Sequence, residues 1–243
     1  MSGVASVTTE TRAAWTPEAI NARARDEARR ARNYPISRWY LRPLAGIASR
    51  YLMRSSLQPC HVTWCGFGCT LAAAATILLA PAYCAVAAAL IMAAWFCDRL
   101  DGQLARRQGT ASAYGAWLDG NLDELADIAL HTAFAFAAAA QWGNVAWWLW
   151  GAFVSGKYLF MYGLASENSD AVDAAPTPVT TSGHWATPLY HLPANADVRI
   201  HLAMAAAYSG AWGVELAVIA AYYQFRWLAR HVLVARRLRR EAA

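Results

Sequence analysis

The chain has 243 residues, of which 58% are hydrophobic and only 15% charged. A soluble domain sits nearer about 45–50% apolar and about 25% charged, so an ordinary globule is disfavoured. A disordered chain is poor in aromatics, and a disulfide scaffold needs dense cysteine, so the 12% aromatic content and 5 cysteines exclude both. What remains is a polytopic, all-α membrane protein. Its net charge of +5 is carried by arginine, since Lys157 is its lone lysine. Basic charge bracketing apolar spans belongs to membrane topology, and no nucleic-acid motif accompanies it, so no nucleic-acid partner is expected.

Residues 1–33 are polar, and Met1 to Thr11 hold no apolar run, so no cleavable signal peptide is expected. Thr16-Pro17-Glu18 has the composition of a helix start, and the arginines that follow predict a solvated helix. Across 36–58, Arg38, Arg42, Arg50 and Arg54 alternate with Trp39, Tyr40, Ile47 and Tyr51 on either side of Pro43. Such a stretch predicts an amphipathic helix lying in the membrane interface. A span needs about 20 apolar residues, and six stretches read as spans: 61–80, 83–106, 113–140, 144–165, 198–211 and 213–234. The 166–196 stretch, with four prolines among Ser, Thr, Asn and Asp, predicts a loop. The organisation expected is therefore an N-terminal segment at 1–58, a six-helix transmembrane domain at 59–235 and a basic tail at 236–243.

Charge sets the expected orientation. Arg99, Arg106, Arg107, Lys157, Arg199 and the arginines after 225 all fall on the side of the N-terminus, whereas the turns at 81–82, 141–143 and 210–213 hold no Lys or Arg. By the positive-inside rule that side is cytoplasmic, with both termini on it. Trp142, Trp147, Trp148, Trp150 and Trp212 gather near the other side, as an interfacial belt would. The cysteines, largely in apolar runs, read as small core hydrophobes.

One segment breaks the apolar pattern. Asp98, Asp101, Asp119, Asp123, Glu124 and Asp127 sit at the ends of two spans. Acids in a span suggest function by default. Asp98 and Asp101 are i and i+3, and Asp119 and Asp123 are i and i+4, so each pair shares a helix face. A short connection at 107–112 predicts that the two helices are antiparallel neighbours whose carboxylates converge. Four such charges repel unless cations lie between them, and an all-oxygen donor set suits two Mg²⁺ or Mn²⁺ ions. Two metals can clamp a phosphate. Small residues, Gly102, Ala105 and Gly115, leave room for a ligand, and Arg106 could contact phosphate.

The run Asp98-x-x-Asp101-Gly102-x-x-Ala105-Arg106, eight residues, then Gly115-x-x-x-Asp119-x-x-x-Asp123 resembles the CDP-alcohol phosphotransferase signature at every fixed position. Upstream, Pro59-Cys60-His61-Val62-Thr63 resembles the start of the first span in many members, with Cys60 where Asn is usual. The resemblance implies transfer of a phosphate-linked group from a CDP-alcohol to a hydroxyl acceptor, with release of CMP. It implies that Asp98, Asp101, Asp119 and Asp123 hold divalent metals, with Asp123 also the general base. By the same resemblance Gly102, Ala105, Arg106 and Gly115 line the nucleotide pocket, Arg199 binds an acceptor phosphate, and the protein is a homodimer. CDP-diacylglycerol is the expected donor, with a polyol or polyol phosphate as acceptor. A soluble CDP-alcohol with a lipid acceptor is the alternative. Asp127 and His131 continue the acidic stripe and read as hydrogen-bonding groups between helices, and Glu124 as structural. His184 and His191 have no ligand spacing. A cation or proton transporter and a scaffold with a decayed site are the rival classes.

Overall fold

A computed structural model describes residues 36–170 and 196–241. Among these residues the structure is all helical, with seven α-helices: α1 Leu41–Leu52, α2 Pro59–Leu79, α3 Cys84–Gln108, α4 Ala113–Trp142, α5 Asn144–Asp170, α6 Ala196–Ser209 and α7 Trp212–Glu241. A 3₁₀ turn at Pro81–Tyr83 joins α2 to α3. The six long helices fall where the apolar runs place them. The Thr16-Pro17-Glu18 start, the arginine-rich 1–33 stretch, most of the 166–196 loop, His184 and His191 lie outside the described residues.

The helix ends follow local chemistry. Pro59 opens α2 where its missing N–H has no partner to lose. The N-cap is Gln58, whose side chain makes no capping hydrogen bond; Cys60 lies one residue inside the helix, so it is not the cap position the resemblance implied. Pro43 sits in the first turn of α1, again where an intrahelical donor is not needed. Gly109 ends α3 with φ +69°, a left-handed conformation that only glycine adopts freely, and the Ser112 hydroxyl then caps α4 by accepting from Gly115 N at 3.1 Å. Gly143 and Gly210, both at positive φ, make the corresponding turns before α5 and α7. Two stretches, Pro59–Leu79 and Pro81–Gln108, are long and apolar enough to cross a membrane.

Packing departs from one expectation. Consecutive α3 and α4 were expected to pack on each other. Instead α2 packs extensively on both, and α3 and α4 scarcely meet along their backbones. The short connection brings their ends together, while α2 fills the role of common neighbour, so a space opens between the acidic faces. Gly66 is what lets α2 approach α3: a Cβ there would lie 2.9 Å from the Cys97 Cβ. The main core gathers Ile77, Ile91, Leu130, Phe134 and Leu216 from α2, α3, α4 and α7. A second cluster, Phe153, Phe160, Ile219 and Tyr223, joins α5 to α7. A third, Ala45, Val62, Leu100 and Leu104, seats α1 on α2 and α3. The cysteines are all free; Cys65 is exposed and the rest half-buried, and of these Cys97 packs against the third cluster, so the reading of them as core residues holds only in part.

Candidate active site

Two helix ends and the start of α2 build the site. Asp98 of α3 and Asp119 and Asp123 of α4 each offer a carboxylate oxygen, and the three oxygens lie within 4.8 Å of one another. Asp98 and Asp119 are half-buried, while Asp123 is open. Asp98 is paired with Arg99, whose Nε donates to Oδ2 at 3.0 Å and whose guanidinium also stacks 4.1 Å from the Trp95 ring. Asp119 Oδ1 is buried and has no hydrogen-bond partner among the described residues. A buried acceptor left without a partner is costly unless something else satisfies it. A hard divalent cation fits that oxygen and this all-oxygen donor set.

Asp101 stands beside the trio but is oriented differently. Its Oδ2 accepts from Thr63 Oγ1 of α2 at 2.7 Å, and its Oδ1 accepts from Gly102 N. Each carboxylate oxygen has two lone pairs, so these bonds leave it able to ligate. Thr63 belongs to the upstream motif, yet its contact spans 38 positions and no local pattern announces it.

The four aspartates border a cavity of about 290 Å³ that continues toward Glu124, Asp127, Lys157 and Arg199. A smaller polar cavity of about 160 Å³ shares Asp98, Asp101 and Asp119 and is lined by Gly102 and Arg106. Ala105 and Gly115 lie outside its lining, and the Gly115 amide is taken by the Ser112 cap.

At the far end of the larger cavity the charges are paired. Lys157 of α5 is buried and bonds Asp127 and, at 2.8 Å, Glu124. Arg199 of α6 reaches the same Asp127 oxygen at 3.3 Å and also bonds the Tyr223 hydroxyl of α7. Its Nε is buried and without a hydrogen-bond partner among the described residues. Below them His131 joins α4 to α7 through Glu215 at 3.1 Å, and its Nδ1 faces the Asp127 carbonyl at 2.6 Å. Asp127 and His131 thus bond between helices as expected. Two readings change. Lys157 was counted among orientation-setting surface charges, and it is instead a buried cation of the site. Glu124 was set aside as structural, and it lines the cavity as a partner of Lys157.

Known proteins carry the same stretch. The family model for CDP-alcohol phosphatidyltransferase matches residues 57–212. A phosphatidylinositol phosphate synthase from Cutibacterium acnes is 33% identical over 102 residues, covering 40% of this chain and 46% of the relative. An archaetidylinositol phosphate synthase from Methanothermobacter thermautotrophicus is 36% identical over 93 residues, covering 38% of this chain and 43% of the relative. The chain spans less than half the length of these curated relatives. The family match covers well over half of the chain and encloses every converged aspartate, so this chain belongs to the CDP-alcohol phosphatidyltransferase family.

Proposed function

We propose that the protein transfers a phosphatidyl group from CDP-diacylglycerol to a polyol phosphate and releases CMP. One observation carries the reading: a single cavity has converged carboxylates at one end and the Lys157–Arg199 cations at the other. The first end suits divalent cations and a diphosphate, and the second suits an acceptor that is itself an anion. Both relatives carry inositol phosphate in their names, which favours a phosphorylated polyol.

In this reading Asp98, Asp101, Asp119 and Asp123 hold two divalent cations, Mg²⁺ or Mn²⁺, whose charge offsets that of the diphosphate and of departing CMP. Asp123, the most open of the converged trio, takes the proton from the acceptor hydroxyl. That oxygen forms the new bond to the phosphatidyl phosphorus, the bond from phosphorus to the CMP oxygen breaks, and CMP leaves with the electron pair. Lys157 and Arg199 orient the acceptor phosphate. Gly102, Ala105, Arg106 and Gly115 serve the nucleotide, by contact or by leaving space.

The same reading takes 59–235 as a six-span catalytic domain, 1–58 as an interfacial segment and 236–243 as a basic tail. α1 exposes Leu44, Ile47 and Tyr51 together with Arg50, the pattern of a helix lying among headgroups. With Lys157, Arg199 and Arg106 assigned to the site, Arg107 and the α7 arginines support a cytoplasmic side for the termini and active site, and the family resemblance supports a homodimer.

The test is CMP release by purified protein in detergent. The mixture holds CDP-diacylglycerol, Mg²⁺ and either inositol phosphate or unphosphorylated polyols. Release that needs both metal and the phosphorylated acceptor is expected. Release only from a soluble CDP-alcohol would replace the donor. No release from either donor by folded protein would overturn the enzyme reading.

A further inference from the structure

Four arginines surround α1, and three of them, Arg38, Arg50 and Arg54, are exposed. Arg42 differs. It is half-buried and lines the smaller polar cavity with Gly102, Gln103 and Arg106, beside Asp98 and Asp119.

The backbone around Arg42 is fixed from two directions. On one side, Gln103 of α3 donates its amide to the Arg42 carbonyl at 3.4 Å, and a Cβ on Gly46 would lie 3.4 Å from the same side chain's Oε1. On the other, Asp197 of α6 is wholly buried and accepts the backbone N–H groups of Ile36 at 2.7 Å and Ser37 at 2.9 Å. Its second oxygen accepts from Trp95 Nε1 at 3.3 Å. The Ser37 carbonyl in turn accepts from Arg42 N at 2.9 Å. Tyr40 adds a hydroxyl contact to His201 Nε2 at 2.5 Å. A buried carboxylate is tolerated only where donors surround it, and here two of those donors are backbone N–H groups of the chain leading into Arg42. Asp197, Ser37 and Arg42 therefore form one continuous line from α6 to the polar cavity.

A planar guanidinium at the rim of a polar cavity offers several donors to phosphate oxygens. Lys157 and Arg199 line the larger cavity alone and are absent from the lining of this one. We infer that Arg42 binds the diphosphate of the CDP-linked donor, with Asp197 as the positioning residue that holds it at the cavity. This rests on the donor reading above.

The experiment uses the full chain in detergent, with CDP as a soluble binding probe and donor and acceptor KM measured separately. Arg42→Gln should raise the donor KM and the CDP Kd about tenfold or more, with kcat and the acceptor KM within about threefold of wild type. Arg42→Lys should recover part of the loss. Arg50→Gln, on the exposed face of the same helix, should match wild type, which separates a site contact from general attraction to an anionic lipid. Asp197→Asn should reproduce the donor effect, and combining it with Arg42→Gln should add less than about twofold, because both act through one side chain. A donor KM unchanged in Arg42→Gln, or raised equally in Arg50→Gln, overturns the inference. Wild-type protein that neither binds CDP nor releases CMP would instead sink the donor reading, and the inference with it.

Discussion

Asp123 and Asp127 stand one turn apart on α4, yet their surroundings are opposite. Around Asp123 three carboxylates converge, Arg99 is paired with Asp98, and a buried Asp119 oxygen has no hydrogen-bond partner among the described residues. Around Asp127 the carboxylate is shared by Lys157 and Arg199. The first region has surplus negative charge and unfilled acceptors, as a cation site requires. The second is internally neutralised and keeps spare donors, as an anion site requires. A helix can hold both because successive turns face different neighbours: Asp98 of α3 at one level, α5 and α6 at the next.

The largest effect expected from this division is on chemistry. Asp123→Asn should lower CMP release about 10²–10⁴-fold while CDP binding persists, since a proton acceptor is lost and the pocket is kept. Retained turnover would remove Asp123 from its role. Next comes Lys157→Met, which strips one buried partner from Asp127 while Arg199 remains, and should cost about 1–3 kcal/mol in an unfolding measurement. Adding Asp127→Asn should restore melting but leave the acceptor KM raised. Recovery of both would make Lys157 a structural cation only. Gly66→Ala should act on the donor side alone. Its methyl meets Cys97, so α2 must shift from α3 at about 1–3 kcal/mol, loosening the Thr63–Asp101 contact in thermal unfolding while the acceptor KM stays put. The smallest change is Glu124→Gln. Glu124 is half-exposed and holds Lys157 across a pair of the kind worth about 0–1 kcal/mol. Freeing that ammonium should lower the acceptor KM by about two- to threefold, and a rise would mean Glu124 itself touches the acceptor.

Much of this was legible in the sequence. Apolar runs of helix length, punctuated by Gly109, Gly143 and Gly210, mark the long helices closely, because length and turn chemistry are local properties. The aspartate spacing announces the converged trio for the same reason. What escaped is tertiary. Lys157 has the composition of a flanking surface charge, and only the packing of α5 against α4 makes it a buried cation. Asp197 meets Ile36 across 161 positions, so nothing near either residue signals the bond. The separation of α3 from α4 was misjudged because a short connection implies contact, and the intrusion of α2 is not encoded in that connection.

The i, i+4 spacing of Asp123 and Asp127 has a metric consequence. Four residues of helix advance about 6 Å along the axis, and the backbone cannot stretch or shorten that interval. In the proposed reading, with proton removal at one rung and the cations gathered at the next, α4 would act as a ruler. An acceptor whose attacking hydroxyl and anionic group are separated by about the width of a small ring would then fit best, ahead of both compact and long-chain alcohols.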